Sequence, residues 1–130
     1  MEWKRARPTD QFDMLSLIAQ RQKVELPKEY VEIAMNHNAA IPHPNTFLVD
    51  GEEYSWERLI SIDPAETFNI KSACGQFDEG SHIFPFGIDS FGNYLCFCDE
   101  STFTVAFYFH EEDRFVNLAS SFSQFLQSLY

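Results

Sequence analysis

The segment YLCFCDESTFTVAFYFH, residues 94–110, constrains the fold more than any other part of the chain. Residues 103–110 alternate between the two faces of an extended strand. One face would hold four apolar side chains, those of Phe103, Val105, Phe107 and Phe109. The other face is also largely apolar, which favours a central strand that is covered on both sides. A second strand over 94–100 precedes it, so the segment predicts an antiparallel pair in the protein interior.

Two amphipathic helices are expected before this pair. Thr9 or Asp10 is a possible N-cap of the first helix, and Pro27 suits the first turn of the second. Apolar residues recur at helical spacing in both segments. The expected buried stripes are formed by Phe12, Leu15, Ile18 and Ala19 in the first helix and by Tyr30, Ile33 and Ala34 in the second.

The middle of the chain carries strong turn signals. Two prolines in AAIPHPN, residues 39–45, indicate a loop. Asp50-Gly51 lies between apolar runs and predicts a β-hairpin within residues 46–63. Part of its second arm, SWERLI, also fits a helical period. Residues 64–77 are expected to form a short helix or an irregular crossover.

The end of the chain predicts a charged turn over EEDRFV, residues 111–116, and then a helix. Ser121 and Gln124 have capping-box spacing, and apolar residues follow at i, i+3, i+4 and i+7 from Phe122. So short a helix is marginal alone and needs a sheet to pack on. The elements together predict one α+β domain over residues 1–130 with mainly antiparallel strands.

Charge restricts the possible partners. The formal net charge is −11, and residues 29–130 carry three basic side chains against sixteen acidic ones. Such a field repels nucleic acid and anionic membranes and attracts basic partners, although surplus acid also keeps a chain with 14 phenylalanines soluble. No apolar run approaches the roughly 20 residues that span a bilayer. Three cysteines suit a reducing compartment, so we expect a cytoplasmic protein.

The candidate chemical motifs are weak. Cys96 and Cys98 would point to one side of a strand, but no second cysteine pair completes a zinc site. A nucleophilic cysteine needs an electropositive setting, which this acidic chain does not favour. HEED, residues 110–113, lacks the second histidine of a zinc-protease helix, and GIDSFG lacks the lysine of a phosphate loop. We therefore expect no enzyme activity, metal or cofactor, and we assign Gly87 and Gly92 to turn geometry.

Three segments, taken in order, resemble the SUKH superfamily, whose fungal member gives it the name of cell-wall-assembly regulator. VELPKEYVEIAMNHN is similar to an early family helix, and IFPFGIDSFGNYLCFCDE is similar to the family core. VAFYFHEEDRFVNLASSFSQFL is similar to its ending. The core turn departs from the family's frequent Gly-Gly-Asp, because this chain has Phe91-Gly92-Asn93. An exposed Phe91 there would be a candidate contact residue.

The resemblance implies a binding protein with a strongly curved, mainly antiparallel sheet, N-terminal helices and a C-terminal helix packed on it. Bacterial members resemble immunity proteins that neutralise toxins, many of them nucleases, whereas the fungal member is a regulatory scaffold. We therefore expect a monomer or weak dimer that binds a cognate, basic toxin domain; the alternative is an intracellular scaffold or regulatory module. The residues expected to contact the partner are Asp78, Glu79, Asp89, Phe91, Asp99, Glu100, Glu111, Glu112 and Asp113.

Overall fold

The computed structural model of the protein describes residues 1–98 and 104–130. Its helices are α1 (Phe12–Gln22), α2 (Lys28–Asn36), α3 (Ile70–Cys74) and α4 (Phe122–Ser128). Its strands are β1 (Glu2–Lys4), β2 (Ile41–His43), β3 (Thr46–Val49), β4 (Glu52–Ser55), β5 (Arg58–Leu59), β6 (Ile83–Ile88), β7 (Tyr94–Cys98), β8 (Thr104–Phe109) and β9 (Arg114–Ala119). The α+β class is confirmed. Within these described ranges, no helix has the length and apolar character needed to cross a membrane.

The largest sheet is antiparallel and has the strand order β5-β6-β7-β8-β9. Strand β8 lies between β7 and β9, with Leu95 opposite Phe107 and Phe107 opposite Val116. The apolar side chains on both faces of β8 are mostly buried. The prediction of a central, doubly covered strand is therefore confirmed for the described residues of this segment.

The remaining strands form two separate two-stranded sheets, β1-β2 and β3-β4. The expectation of one strongly curved sheet was wrong, because the strands divide into these three sheets and none of them curls strongly. The helices are also spread more widely than expected. Only α1 and α2 are N-terminal; α3 lies between β5 and β6, and α4 follows β9.

One face of the large sheet packs on α2, α4 and the β3-β4 hairpin. Tyr30 of α2 is fully buried and contacts Phe97 with ring centroids 5.0 Å apart. Phe97 in turn stacks on Phe86 at 4.3 Å. Phe47 of the hairpin and Phe125 of α4 continue the cluster at 5.8 Å. These contacts use the apolar stripes predicted for α2 and α4.

The opposite face is covered by α3 and the segments beside it. Asn69 begins α3 as its N-cap, since its side chain accepts hydrogen bonds from the backbone N–H groups of Lys71 and Ser72. Phe68, just before α3 in the chain, stacks on Tyr94 with ring planes 3° apart. Phe77, just after α3, packs against the same ring. A short helix was one of the two alternatives expected for residues 64–77, and α3 is that helix. It covers this face of the sheet.

Two predictions for α1 were wrong. Its N-cap is Gln11 and not Thr9 or Asp10, and Phe12 is half-exposed although it was expected in the buried stripe.

Three predictions about loops and turns were also wrong. Residues 41–43 form β2, although a loop was expected; Pro42 is tolerated because it lies in a two-stranded edge sheet. Residues 114–119 form β9, where a charged turn was expected to continue to residue 116. Gly87 lies inside β6 and not in a turn. Gly92 does have a positive φ, of 84°, as predicted for a tight turn.

Both ends of the described chain are tied into the fold. Trp3 of β1 packs edge-on against Trp56, with ring centroids 5.6 Å apart. The backbone of Tyr130 forms two hydrogen bonds with Thr46 of β3, at 3.0 and 3.1 Å. The terminal residues therefore contribute contacts to the same core that the central strands build.

Candidate functional site

The turn between β6 and β7 is built around one carboxylate. Asp89 is 6% exposed, and its Oδ1 accepts hydrogen bonds from the backbone N–H groups of Phe91 and Asn93. Its Oδ2 accepts a third from Nδ2 of Asn93 at 2.9 Å. This is the local pattern in which an Asx side chain holds its own turn. The glycine at 92 supplies the left-handed residue that such a turn needs.

Phe91 lies at the tip of this turn and is 72% exposed. The Asp89 carboxylate fixes the backbone of Phe91, so the ring is presented from a hydrogen-bonded support. A large, exposed ring on a fixed turn is unusual for a residue that serves only the core. The exposure expected for Phe91 at the sequence level is therefore present.

The turn between β8 and β9 lies against the first turn. Oδ1 of Asn93 accepts the backbone N–H of His110 at 3.1 Å and lies 2.9 Å from His110 Nδ1. Because that oxygen is an acceptor, this contact is a hydrogen bond when Nδ1 carries the proton. His110 thereby joins the two turns. Its imidazole also fills the space beside Gly92, since a Cβ there would lie 3.3 Å from His110 Cε1.

A cleft of about 380 Å³ opens between these two turns and the β3-β4 hairpin. We call it the acidic cleft. Its lining combines aromatic rings, carboxylates and two polar side chains: Tyr54, Phe91, Asn93, Phe109, His110, Glu111 and Glu112. Tyr54 and Phe109 contact each other with centroids 5.7 Å apart. An apolar wall with carboxylates at its rim suits a ligand that is both basic and partly apolar.

Arg114 is the basic residue beside the acidic cleft. Its guanidinium lies 4.5 Å from the ring centroid of Phe109 and pairs with Glu112 at 2.8 Å and Asp50 at 3.3 Å. These pairs are exposed, so they contribute little to stability. They show that a guanidinium fits on the aromatic wall of this region while carboxylates surround it.

Nearby carboxylates contribute to the raised pKa values of two tyrosines, Tyr54 in the cleft and Tyr108 on the opposite face of the sheet. Burial raises the pKa of Tyr54, and the charges of Glu52 and Asp89 raise it further, while Arg114 acts in the opposite direction. A hydrogen bond to the Asp113 carboxylate, at 2.7 Å, is the main reason that the pKa of Tyr108 is raised to about 12. Both tyrosines resist becoming anions here, as expected where acidic side chains predominate.

The structure brings together some of the residues predicted to contact a partner. Phe91, Glu111 and Glu112 line the acidic cleft. Asp113 is not a lining residue; its carboxylate accepts a hydrogen bond from Tyr108, whose ring packs against Phe77 on the opposite face of the sheet. Asp89 lies beneath the turn with its oxygens occupied, so we assign it to the support of Phe91 and not to direct contact.

The other predicted contact residues are elsewhere. Asp78 and Glu79 belong to the loop after α3, which packs on the end of α1: the Asp78 carbonyl accepts from Nε2 of Gln22 at 3.5 Å. Neither residue is among those lining the acidic cleft. Asp99 and Glu100 lie outside the residues that the structure describes.

The sequence did not indicate that the β3-β4 hairpin contributes a residue to this site. Tyr54 lines the cleft, and Asp50 pairs with Arg114 of β9, because the β3-β4 hairpin folds against the large sheet. No local spacing signals this, since Tyr54 is far from Phe91 along the chain. His110 is the histidine of HEED, and its bonding to Asn93 gives it a positioning role between the two turns.

Two of the three thiols are poorly placed for nucleophilic chemistry. Cys74 and Cys96 are buried, and burial is the main cause that raises the pKa of Cys74 to about 12 and that of Cys96 well above its ordinary value. A thiol that remains protonated is a weak nucleophile. Among the residues of the described ranges, no group of three or more His, Cys, Asp or Glu side chains is arranged to hold a metal ion.

Comparison with known proteins identifies the family. The model of the family described as SMI1-KNR4 cell-wall (SUKH_6) matches residues 13–126, which include both turns of the acidic cleft. No curated protein and no solved structure matches the chain. Because the match covers most of the chain, this protein belongs to the SUKH family of SMI1-KNR4 domains.

Proposed function

We propose that this protein is an immunity-type protein that binds and neutralises a cognate toxin domain with a basic surface. The observation that carries the proposal is the acidic cleft, which sets the exposed ring of Phe91 beside the carboxylates of Glu111 and Glu112. In this proposal the protein acts in the cytoplasm, as a monomer or weak dimer, and it acts by occupying the partner and not by catalysis.

The two components of the cleft would have different roles in binding. Phe91 is a rigidly supported aromatic side chain, the kind of residue that serves as an interface anchor. The carboxylates form an acidic rim in a protein with a net charge of −11. Such a rim speeds the encounter with a basic surface and makes it sensitive to salt, but contributes less to the lifetime of the complex. The arrangement therefore suits fast, salt-sensitive capture followed by aromatic anchoring.

Family membership supports the class of function only. It favours a protein-binding domain of the immunity or SMI1-KNR4 type. The basic character of the partner rests on charge, because a surface that grips nucleic acid is itself basic. A nuclease toxin domain is the partner that joins these two lines of reasoning.

The test uses the proteins encoded next to the gene for this protein, each in turn, and the expected binder is a toxin domain with a basic surface. Binding is measured by calorimetry at about 50 and 300 mM salt, and inhibition is measured on the toxin's own activity. We expect a 1:1 complex that weakens with salt, and a loss of inhibition when Phe91→Ala weakens binding by tenfold or more. Phe12→Ala is the matched control, because Phe12 is a half-exposed phenylalanine on α1 and outside the cleft.

The charge contribution has its own control. Glu111→Gln and Glu112→Gln should each lower the association rate, whereas Glu79→Gln removes the same charge from a loop outside the cleft and should lower it less. Equal effects of these variants, or equal effects of Phe91→Ala and Phe12→Ala, would argue against the cleft. A complex that forms without inhibiting the toxin would favour the scaffold or regulatory alternative.

A further inference from the structure

Three arginine side chains gather at a second cleft, on a part of the surface that shares no lining residue with the acidic cleft. Arg5, Arg7 and Arg58 line this cleft of about 280 Å³ together with Asn38 and Glu66. We call it the arginine cleft. A neighbouring cleft of about 190 Å³ shares Arg58 and Glu66 with it. The chain has nine lysines and arginines against twenty acids, so three of its nine basic residues meet at one place.

Ordered backbone positions each of these arginines. Arg7 forms a bridge with Asn38, in which the Asn38 N–H donates to the Arg7 carbonyl at 2.8 Å. Arg58 lies in β5, and its carbonyl accepts the indole N–H of the fully buried Trp56 at 2.9 Å. Arg5 directly follows β1, at the end of the two-stranded sheet where Lys4 pairs with Ile41, the first residue of β2. The fold, and not a neighbouring stretch of sequence, therefore brings Arg58 to Arg5 and Arg7.

None of the three guanidinium groups forms an ion pair with a carboxylate in the described part of the chain. Within residues 1–98 and 104–130, the ion pairs and side-chain hydrogen bonds of arginine involve only Arg114. Glu66 is the carboxylate of the arginine cleft, so the formal charge of its lining is about +2. Arg5, Arg7 and Arg58 are exposed, so water screens their mutual repulsion, and an anion bound among them would interact favourably with all three. The cleft is thus complementary to a small dianion.

A guanidinium group can bind a phosphate through two parallel hydrogen bonds. Arginine is therefore common at protein sites that bind phosphate. The net charge of the whole protein limits the size of the anion that can bind. A protein with a net charge of −11 repels an extended anion such as nucleic acid or an anionic membrane. For a small anion inside the cleft, salt screens charges that lie more than about 8 Å away, so the nearby arginines have the largest effect. In the neighbouring cleft, Phe68 adds aromatic surface next to Arg58.

From these observations we propose that the arginine cleft is a binding site for a phosphate-bearing small molecule, with Arg5, Arg7 and Arg58 as the phosphate ligands. Phe68 and Glu66 then face the part of the ligand beyond the phosphate. The site uses none of the residues assigned to partner binding, so it stands whether or not the acidic cleft binds a toxin.

The test titrates the full chain with inorganic phosphate, inorganic pyrophosphate and adenosine 5′-monophosphate at constant ionic strength, followed by calorimetry. We expect saturable 1:1 binding, with the phosphate monoester at least as tight as inorganic phosphate. Arg7→Gln and Arg58→Gln should each weaken binding tenfold or more. Arg21→Gln, which removes the same charge from the end of α1, should leave it unchanged.

Folding of each variant is checked by circular dichroism and urea unfolding, and Arg5→Gln replaces any variant that does not fold. Vesicles that contain a phosphoinositide test a lipid headgroup as the source of the phosphate. Absence of binding to all three solutes would overturn the proposal, as would binding to vesicles alone. Equal weakening by Arg21→Gln and Arg58→Gln would overturn it too, because the effect would then be one of overall charge.

Discussion

A Cβ atom placed on Gly87 would lie only 2.5 Å from the indole Nε1 of Trp56. The two residues are therefore matched: the missing side chain of Gly87 makes room for a tryptophan that is fully buried. Trp56 in turn contacts Phe86 at 5.6 Å and donates its indole N–H to the Arg58 carbonyl. This glycine serves close packing, which differs from the turn role that its position in GIDSFG suggests.

Gly87→Ala should lower the free energy of unfolding by about 2 kcal/mol or more, because overpacking a core typically costs 1–3 kcal/mol and here the overlap is with a rigid indole. Urea unfolding measures the change. Gly51→Ala is the control, since Gly51 has a positive φ of 83° but open space around it. That variant should show only backbone strain, of about 1 kcal/mol. Equal costs would mean that the Trp56 contact is unimportant.

Asp89→Ala should destabilise the β6-β7 turn by about 2–3 kcal/mol, because three hydrogen bonds to one buried carboxylate are lost. The measurement is amide hydrogen exchange at Asn93 together with global urea unfolding. The exposed Glu111→Ala should change stability by less than about 0.5 kcal/mol. An Asn93 amide that stays as protected as before would contradict the role given to Asp89.

Tyr30→Phe should leave stability unchanged or raise it by about 1 kcal/mol. Tyr30 is fully buried, and in the described part of the chain its hydroxyl has no hydrogen-bond partner. Removing a buried, unpaired hydroxyl removes a desolvation cost. Tyr94→Phe is the matched comparison, because the Tyr94 hydroxyl accepts a hydrogen bond from Gln76, and this variant should lose about 1 kcal/mol. A clear loss of stability in Tyr30→Phe would indicate a partner such as a buried water.

Stability should fall as pH rises above about 9. Burial raises the pKa of the Cys74 thiol from 9.0 to about 12, so the unfolded chain releases this proton before the folded protein does. The contribution of Cys74 is therefore complete below pH 9 and is lost between pH 9 and 12, by up to roughly 1.4 kcal/mol per pH unit. Urea unfolding at pH 7.5, 9 and 10 measures the slope.

Cys74→Ala removes this thiol and should flatten that slope, whatever its effect on stability at pH 7.5. The slope that remains belongs to other groups with raised pKa values, such as Cys96 and Tyr108. An unchanged slope in Cys74→Ala would mean that the thiol ionises alike in the folded and unfolded states.

Long, regular apolar patterns made the core elements predictable. The stripe after Ser121 located α4, whose N-cap is Ser121, and Asp50-Gly51 located the β3-β4 hairpin, where both residues have positive φ. The edge strands were missed for a physical reason. Strand β9 is mostly half-exposed or exposed and follows a run of charges, so its pattern resembles that of a turn. Strand β2 was missed because Pro42, at its centre, is typical of a loop.

The candidate sites depend on contacts between distant segments, which a single sequence does not reveal. Phe91, Glu111 and Glu112 were predicted as separate loop residues, and the fold places them in one cleft with Tyr54. The meeting of Arg7 with Arg58 depends on the Arg7-Asn38 bridge and on β5, neither of which leaves a local pattern. Asp89 was expected among the contact residues, and neither its burial nor its three hydrogen bonds within the turn could be read from the sequence.

The tied chain ends matter for any shortened version of this domain. The family match covers residues 13–126, and both Trp3 and Tyr130 lie outside that range. Trp3 packs against Trp56, and the backbone of Tyr130 is hydrogen-bonded to that of Thr46. Cutting at the family limits would strip one aromatic neighbour from the tryptophan and leave an edge of β3 unpaired. Exposed strand edges invite self-association. A recombinant fragment trimmed to the matched range should consequently be less soluble than the whole chain, and affinity tags are best separated from both termini by spacers.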